Sequence, residues 1–118
     1  MMQPADLVQA QLDAYNRKDI DALLATYAPD AEHYLLHGDL MAKGHDQLRP
    51  RFLARFTEPD LHAELRSRTV FGHIVIDCEV VTRNFPEGRG TVEMLCIYEV
   101  DGAHIRRASF ALGPQRLD

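Results

Sequence analysis

The spacing of apolar residues changes for the rest of the chain at Pro59, and that change constrains the fold more than any other feature. Before it the apolar positions recur at helical intervals; after it they alternate with polar ones at the two-residue period of a half-buried strand. From Pro4 to about Arg17, Leu7, Val8, Leu12 and Tyr15 form one stripe, with Pro4 and Asp6 where a first helical turn favours them. Gln11 falls on that stripe, between Leu7 and Tyr15. Asp19 predicts the N-cap of a second helix whose buried face is Ile20, Leu23, Leu24 and Tyr27 and which Pro29 ends. The helical period lapses from Glu32 to Met41, where Tyr34-Leu35-Leu36 before Gly38-Asp39 reads as a short strand and a turn. Gly44-His45-Asp46 opens a third helix with Leu48, Phe52 and Phe56 on one face and Pro50 close to its first turn.

Beyond Pro59, Leu61–Phe71, His73–Asn84, Gly90–Val100 and His104 to about Leu112 read as four strands, with a loop over 85–89 and a tight turn at Asp101-Gly102. If that loop centres on Glu87, Ile74, Ile76, Cys78, Val80 and Thr82 lie opposite Val100, Tyr98, Cys96, Met94 and Val92. Both rows are nearly all apolar, so this face is expected to point at the core and to leave Asp77, Glu79 and Glu93 outside in water. Three N-terminal helices followed by an antiparallel meander is an α+β arrangement, with the helices covering one face of the sheet.

The 118 residues suit one domain spanning 1–118. Thirteen Lys and Arg against eighteen Asp and Glu, interleaved, give a net charge of -5 that argues against nucleic acid as a partner. No apolar run approaches the ~20 residues of a membrane span. The opening Met-Met-Gln-Pro-Ala-Asp lacks the features of a secretory signal, so a cytoplasmic location is expected, and the two cysteines read as thiols.

The runs Tyr15-Asn16-Arg17-Lys18-Asp19-Ile20-Asp21, Tyr27-Ala28-Pro29-Asp30-Ala31 and Lys43-Gly44 resemble the opening of the nuclear transport factor 2-like superfamily. The stretch from Val75 to Gly88, followed by Ile97-Tyr98-Glu99-Val100-Asp101-Gly102, is similar to its SnoaL-like, ketosteroid isomerase-like branch. The resemblance implies a cone, a cystatin-like α+β roll, in which a strongly curved, mostly antiparallel sheet wraps the helices around an apolar pocket. It also implies a homodimer, for which Leu95 and Ile97 on the outer sheet face are the expected contacts. Carried over residue by residue, it puts the isomerase's helix-one tyrosine at Gln11, its base at Leu35 and its second oxyanion donor at Cys96. Leucine takes no proton, an amide has no acidity and a thiol is a weak donor, so that mechanism does not run unchanged here. The branch often carries His at the position of Cys78 and Trp at that of Ser109, two further departures.

His33 and His37 share strand parity with Leu35 and are the expected acid/base residues, since imidazole titrates near neutral pH. Residues four apart on a strand sit roughly 13 Å apart, so the pair is not expected to share a metal ion. Gln11 and Tyr15, with Tyr27 and Tyr98, are expected to orient a ligand oxygen. The helices and first strand add Leu35, Phe52 and Phe56 to the expected pocket, and the sheet adds Cys78, Met94, Cys96 and Ser109. Cys78 and Cys96 would face one another as core thiols, lacking the positive charge that makes a thiolate reactive. If Arg107 points inward it would attract a carboxylate ligand; a salt bridge is its commoner fate. No phosphate loop, CxxC pair or serine-nucleophile motif is present. The residues thus point to a pocket for a small hydrophobic molecule, cyclic or carbonyl-bearing. The expected chemistry is a cofactor-free isomerisation or dehydration, and the alternatives are a binder without catalysis or a dimerisation module.

Overall fold

The computed structural model describes residues 2–118. Helices α1 (Pro4–Asn16) and α2 (Ile20–Ala25) are followed by strands β1 (Tyr27–Leu35) and β2 (Leu40–Lys43), then by helix α3 (His45–Phe56). Strands β3 (His62–Phe71), β4 (Ile74–Phe85), β5 (Gly88–Asp101) and β6 (His104–Leu117) complete the chain. Together the strands form one sheet in the order β2-β1-β6-β5-β4-β3, antiparallel except where β1 runs parallel to β6. The three helices pack on one face of this curved sheet, α1 against β3, β4 and β6 and α3 against β1 and β2.

Local chemistry explains most boundaries. Gln3 and Asp6 close a capping box around Pro4 at the start of α1, whose buried residues are Leu7, Val8, Gln11, Leu12 and Ala14. The Asp19 side chain accepts from the Ala22 amide at 3.1 Å and starts α2. Gly44, at φ 78°, precedes α3, and Pro50 lies within that helix on its exposed side, where it removes one backbone donor.

Two sequence expectations are corrected. Tyr27 is fully buried, but as the first residue of β1, because Tyr27 pairs with Ile105 of β6 and the Ile105 amide donates to the Thr26 carbonyl at 2.8 Å. Sheet pairing across the chain outweighs the helical pattern, and Pro29 sits inside the strand where β1 is not paired to β6.

The second correction is the register of β4 on β5. Only Pro86 and Glu87 lie between the paired ends Phe85 and Gly88, so Cys78 meets Leu95 and Asp77 meets Cys96. That is one residue from the expected pairing and turns β4 over. Val75, Asp77, Glu79 and Val81 point inward, while Ile76, Cys78 and Val80 face out. On β5 the inward row is Val92, Met94, Cys96, Tyr98 and Val100, as expected. Further along, β6 continues to Leu117, and a side chain at Gly90 would collide with the Arg116 carbonyl that passes over it.

Candidate functional site

A cavity of about 190 Å³ lies between the helices and the inner face of the sheet. Helix α1 contributes Gln11, Leu12 and Tyr15 to its wall because they share the stripe that faces the sheet. From β1 come Tyr27, His33 and Leu35, and from α3 come Leu48, Arg51, Phe52 and Arg55. The sheet supplies Glu79, Val81, Met94, Cys96, Tyr98, Phe110 and Leu112.

The expected pocket residues therefore divide. Gln11, Tyr15, Tyr27, Leu35, Phe52, Met94, Cys96 and Tyr98 line the cavity, and Phe56 packs behind it on Tyr15 and Phe52 at 5.7 and 6.3 Å between ring centroids. Cys78 and Ser109 do not line it. Cys78 is exposed on the outer face, and Ser109 pairs there with Ile97, so the two cysteines lie on opposite faces of the sheet. Nor are the two histidines brought together. His37 is exposed in the turn after β1, at φ 56°, and reaches no part of the cavity wall. Arg107 also lies outside, over the Tyr34 ring at 4.0 Å and near Glu99 at 3.6 Å.

His33 is buried in a cage of rings, with centroids 5.0 Å from Tyr27, 5.6 Å from Phe52 and 5.1 Å from Phe110. Burial, reinforced by the Arg51 charge, holds its pKa down at about 3, so the imidazole is neutral at physiological pH. Its Nε2 has no hydrogen-bond partner. The Gln11 amide donates from Nε2 to the Tyr27 hydroxyl at 3.3 Å, while Gln11 Oε1 is buried and unpartnered. Burial also raises Tyr15, Tyr27, Tyr98 and Cys96, which keep their protons and stay hydrogen-bond donors.

Two carboxylates that the sequence pattern placed in solvent stand on the inner wall. Asp77 is fully buried, and the Arg68 guanidinium from β3 grips it through Nε and Nη2 at 2.7 and 2.9 Å. Arg68 Nη1 also donates to Gln9 Oε1 at 2.9 Å, so that cation is fully committed. Glu79 is 7% exposed, lines the cavity and has no ion-pair partner among the described residues. Burial first, then the Asp77 charge, raises its pKa to about 7 against the pull of the Cys96 thiol and Arg68. A carboxyl half-protonated at neutral pH in an apolar wall can both take and return a proton. It escaped the sequence reading because charged residues on an alternating strand are normally solvated. The usable signal was the Pro86-Glu87 spacing, since a two-residue hairpin loop fixes the parity of the pairing.

No group of three His, Cys, Asp or Glu side chains is arranged to hold a metal ion among the described residues, and none of their helices is long and apolar enough to cross a membrane.

A curved sheet wrapped on three helices around an apolar cavity with a few buried polar groups is the cone of the nuclear transport factor 2-like superfamily. The chain belongs to the SnoaL-like domain family, whose model matches residues 8–108. Among solved structures it is similar to a cystatin-fold protein of Novosphingobium aromaticivorans, uncharacterised, with 26% identity and a TM-score of 0.87 over 94% of this chain and 99% of that one. A proposed polyketide cyclase of Sinorhizobium meliloti shares 25% identity at a TM-score of 0.73, covering 93% and 100%. IdmH of Streptomyces antibioticus, also a proposed polyketide cyclase, has the same fold at 19% identity and a TM-score of 0.78, covering 94% and 92%. No curated protein matches the chain.

Proposed function

We propose that this SnoaL-like protein is a cofactor-free acid/base catalyst that moves a proton on a small hydrophobic, cyclic, carbonyl-bearing substrate in an isomerisation or dehydration, with Glu79 as the proton-transferring residue. The observation that carries this reading is a carboxyl on the wall of an apolar cavity with no cation to neutralise it, while Arg68 beside it serves Asp77. General acid/base catalysis works best when the pKa sits near the working pH, and burial brings Glu79 to about 7. Tyr15, on the facing stripe of α1, keeps its proton and donates to the substrate carbonyl oxygen, while Gln11 on the same stripe, its Nε2 given to Tyr27, presents Oε1 to a donor elsewhere on the substrate. His33 acts as a neutral hydrogen-bonding group, because an imidazole with a pKa of about 3 is too weak a base to take a proton from carbon. His37 has no part in it.

The same reading includes a homodimer in the cytoplasm. Ile76, Val80, Leu95 and Ile97 make an apolar ridge on the outer sheet face, and free thiols on opposite faces suit a reducing compartment.

The test is enzyme-accelerated exchange of α-hydrogen for deuterium in one- and two-ring cyclic ketones, 2-tetralone among them, followed by NMR in D₂O. Wild type is expected to accelerate exchange, and Glu79→Gln to slow it by about a hundredfold or more while the fold persists. Equal exchange in the two proteins overturns the assignment. A second reading, a binder without catalysis, draws on the uncharged Gln11 and His33 groups, which recognise a ligand without reacting with it. Saturable binding with no exchange in any ketone would favour it.

A further inference from the structure

The cavity contains two buried polar atoms that the protein leaves without partners, Gln11 Oε1 and His33 Nε2, on residues each 5% exposed. A buried polar atom without a hydrogen-bond partner is costly, so both atoms call for groups that a ligand supplies. Both flank Tyr27, whose hydroxyl receives Gln11 Nε2 and whose ring lies against His33. An amide oxygen can only accept, so the ligand group facing Gln11 must be a donor, and a hydroxyl also has lone pairs to offer an imidazole N–H.

The rim carries the opposite character. Arg51 lines the cavity from α3, its polar contact is Met41 Sδ at 3.7 Å, and no carboxylate pairs with it among the described residues. Arg55, one turn on, is by contrast held by Glu58 at 3.1 Å, and Glu58 also grips Arg83 at 2.8 and 2.9 Å. The cavity therefore has an uncommitted guanidinium at its rim and a carboxyl, Glu79, on its sheet wall. An anionic ligand group is drawn to the first and kept from the second.

Size sets the third limit. A dry apolar cavity of about 150 Å³ accepts benzene. At about 190 Å³ this one holds one ring, or two fused rings with an edge in the mouth beside exposed Leu35 and Leu112, but not four.

We propose that the ligand is a one- or two-ring carboxylic acid bearing a hydroxyl, with its ring between Phe52 and Phe110, its carboxylate on Arg51 and its hydroxyl donating to Gln11 Oε1. This rests on the cavity being the substrate site, as in the proposed function, but it is read by binding alone. Calorimetric titration with 4-hydroxybenzoate and 6-hydroxy-2-naphthoate, against their methyl esters and benzoate, tests it. The hydroxy acids are expected to bind, the esters to bind about tenfold more weakly, and Arg51→Gln to weaken the acids by about tenfold so that acid and ester become equal. Arg51→Lys is expected to restore part of the difference, and Gln11→Leu to erase the preference for hydroxy acid over benzoate. Because Arg51 is exposed, its variants test the idea even if Gln11→Leu fails to fold. Equal affinity for acid and ester in wild type, an unchanged affinity in Arg51→Gln, or no binding of either acid overturns it. Acid binding with no Glu79-dependent ketone exchange removes the acid/base reading and leaves this one standing; the reverse pattern does the opposite.

Discussion

Glu79 and His33 meet the same buried environment and respond in opposite directions, because burial penalises the charged form of each. Glu79 holds its proton more tightly folded than unfolded, so its contribution to stability is complete below pH 4.5 and is lost as pH rises to about 7. His33 refuses its proton when folded, so its contribution is complete above pH 6.5 and is lost as pH falls towards about 3. At 1.36 kcal/mol per pKa unit these shifts correspond to about 3 and about 5 kcal/mol. Between pH 4.5 and 6.5 the two slopes cancel. Urea denaturation across pH 4 to 8 is therefore expected to show Glu79→Gln gaining about 3 kcal/mol on wild type from the acid to the neutral end, and His33→Asn gaining about 3 kcal/mol on wild type from the neutral to the acid end. Variants whose curves run parallel to wild type would remove both assignments.

At the scale of the strand, one hairpin decides which chemistry faces the cavity. The two-residue loop at Pro86-Glu87 turns Asp77 and Glu79 inward and Cys78 outward. In folded Ile97→Arg protein, where the outer sheet face is left uncovered, a maleimide is accordingly expected to label Cys78 at once and Cys96 only after unfolding, since Cys96 is buried and its thiol is held protonated. Labelling of neither, or of both at equal rates, would contradict this register. The strand can bury Asp77 because Arg68 on the neighbouring strand neutralises it. Asp77→Ala leaves that arginine uncompensated at 15% side-chain exposure, and about 3–5 kcal/mol of stability should go with it, a fall in Tm of roughly 10 °C or more. The double change Arg68→Met with Asp77→Leu is expected to recover most of the loss, because two apolar side chains leave no buried charge behind.

The whole molecule has two apolar surfaces separated by one sheet. The inner one is closed by the helices; the outer one, Ile76, Val80, Leu95 and Ile97, is only half-buried in a single chain. Sedimentation equilibrium is expected to find a dimer, and Ile97→Arg to give monomers that keep the fold, since a charge placed in the centre of an apolar contact opposes association at no cost to the inner core. A monomeric wild type would dismiss that interface.

The sequence by itself determined the α+β class, the α1 stripe with Gln11 among its apolar neighbours, the Asp19 cap, the four long strands and the inward row of β5. These follow from interactions between residues near one another in the chain, whose period is visible in one dimension. Only the tertiary structure decided that Tyr27 opens a strand, that His33 is caged while His37 stands outside, and that Glu79 faces the cavity. The first two depend on partners far along the chain, Ile105 for Tyr27 and Phe52 and Phe110 for His33; the third depends on the β4–β5 register together with the Arg68 side chain of β3, which lets that strand turn Asp77 and Glu79 inward. Alternation predicts which residues share a face of a strand, but the face that is buried is chosen by what the other elements bring to it.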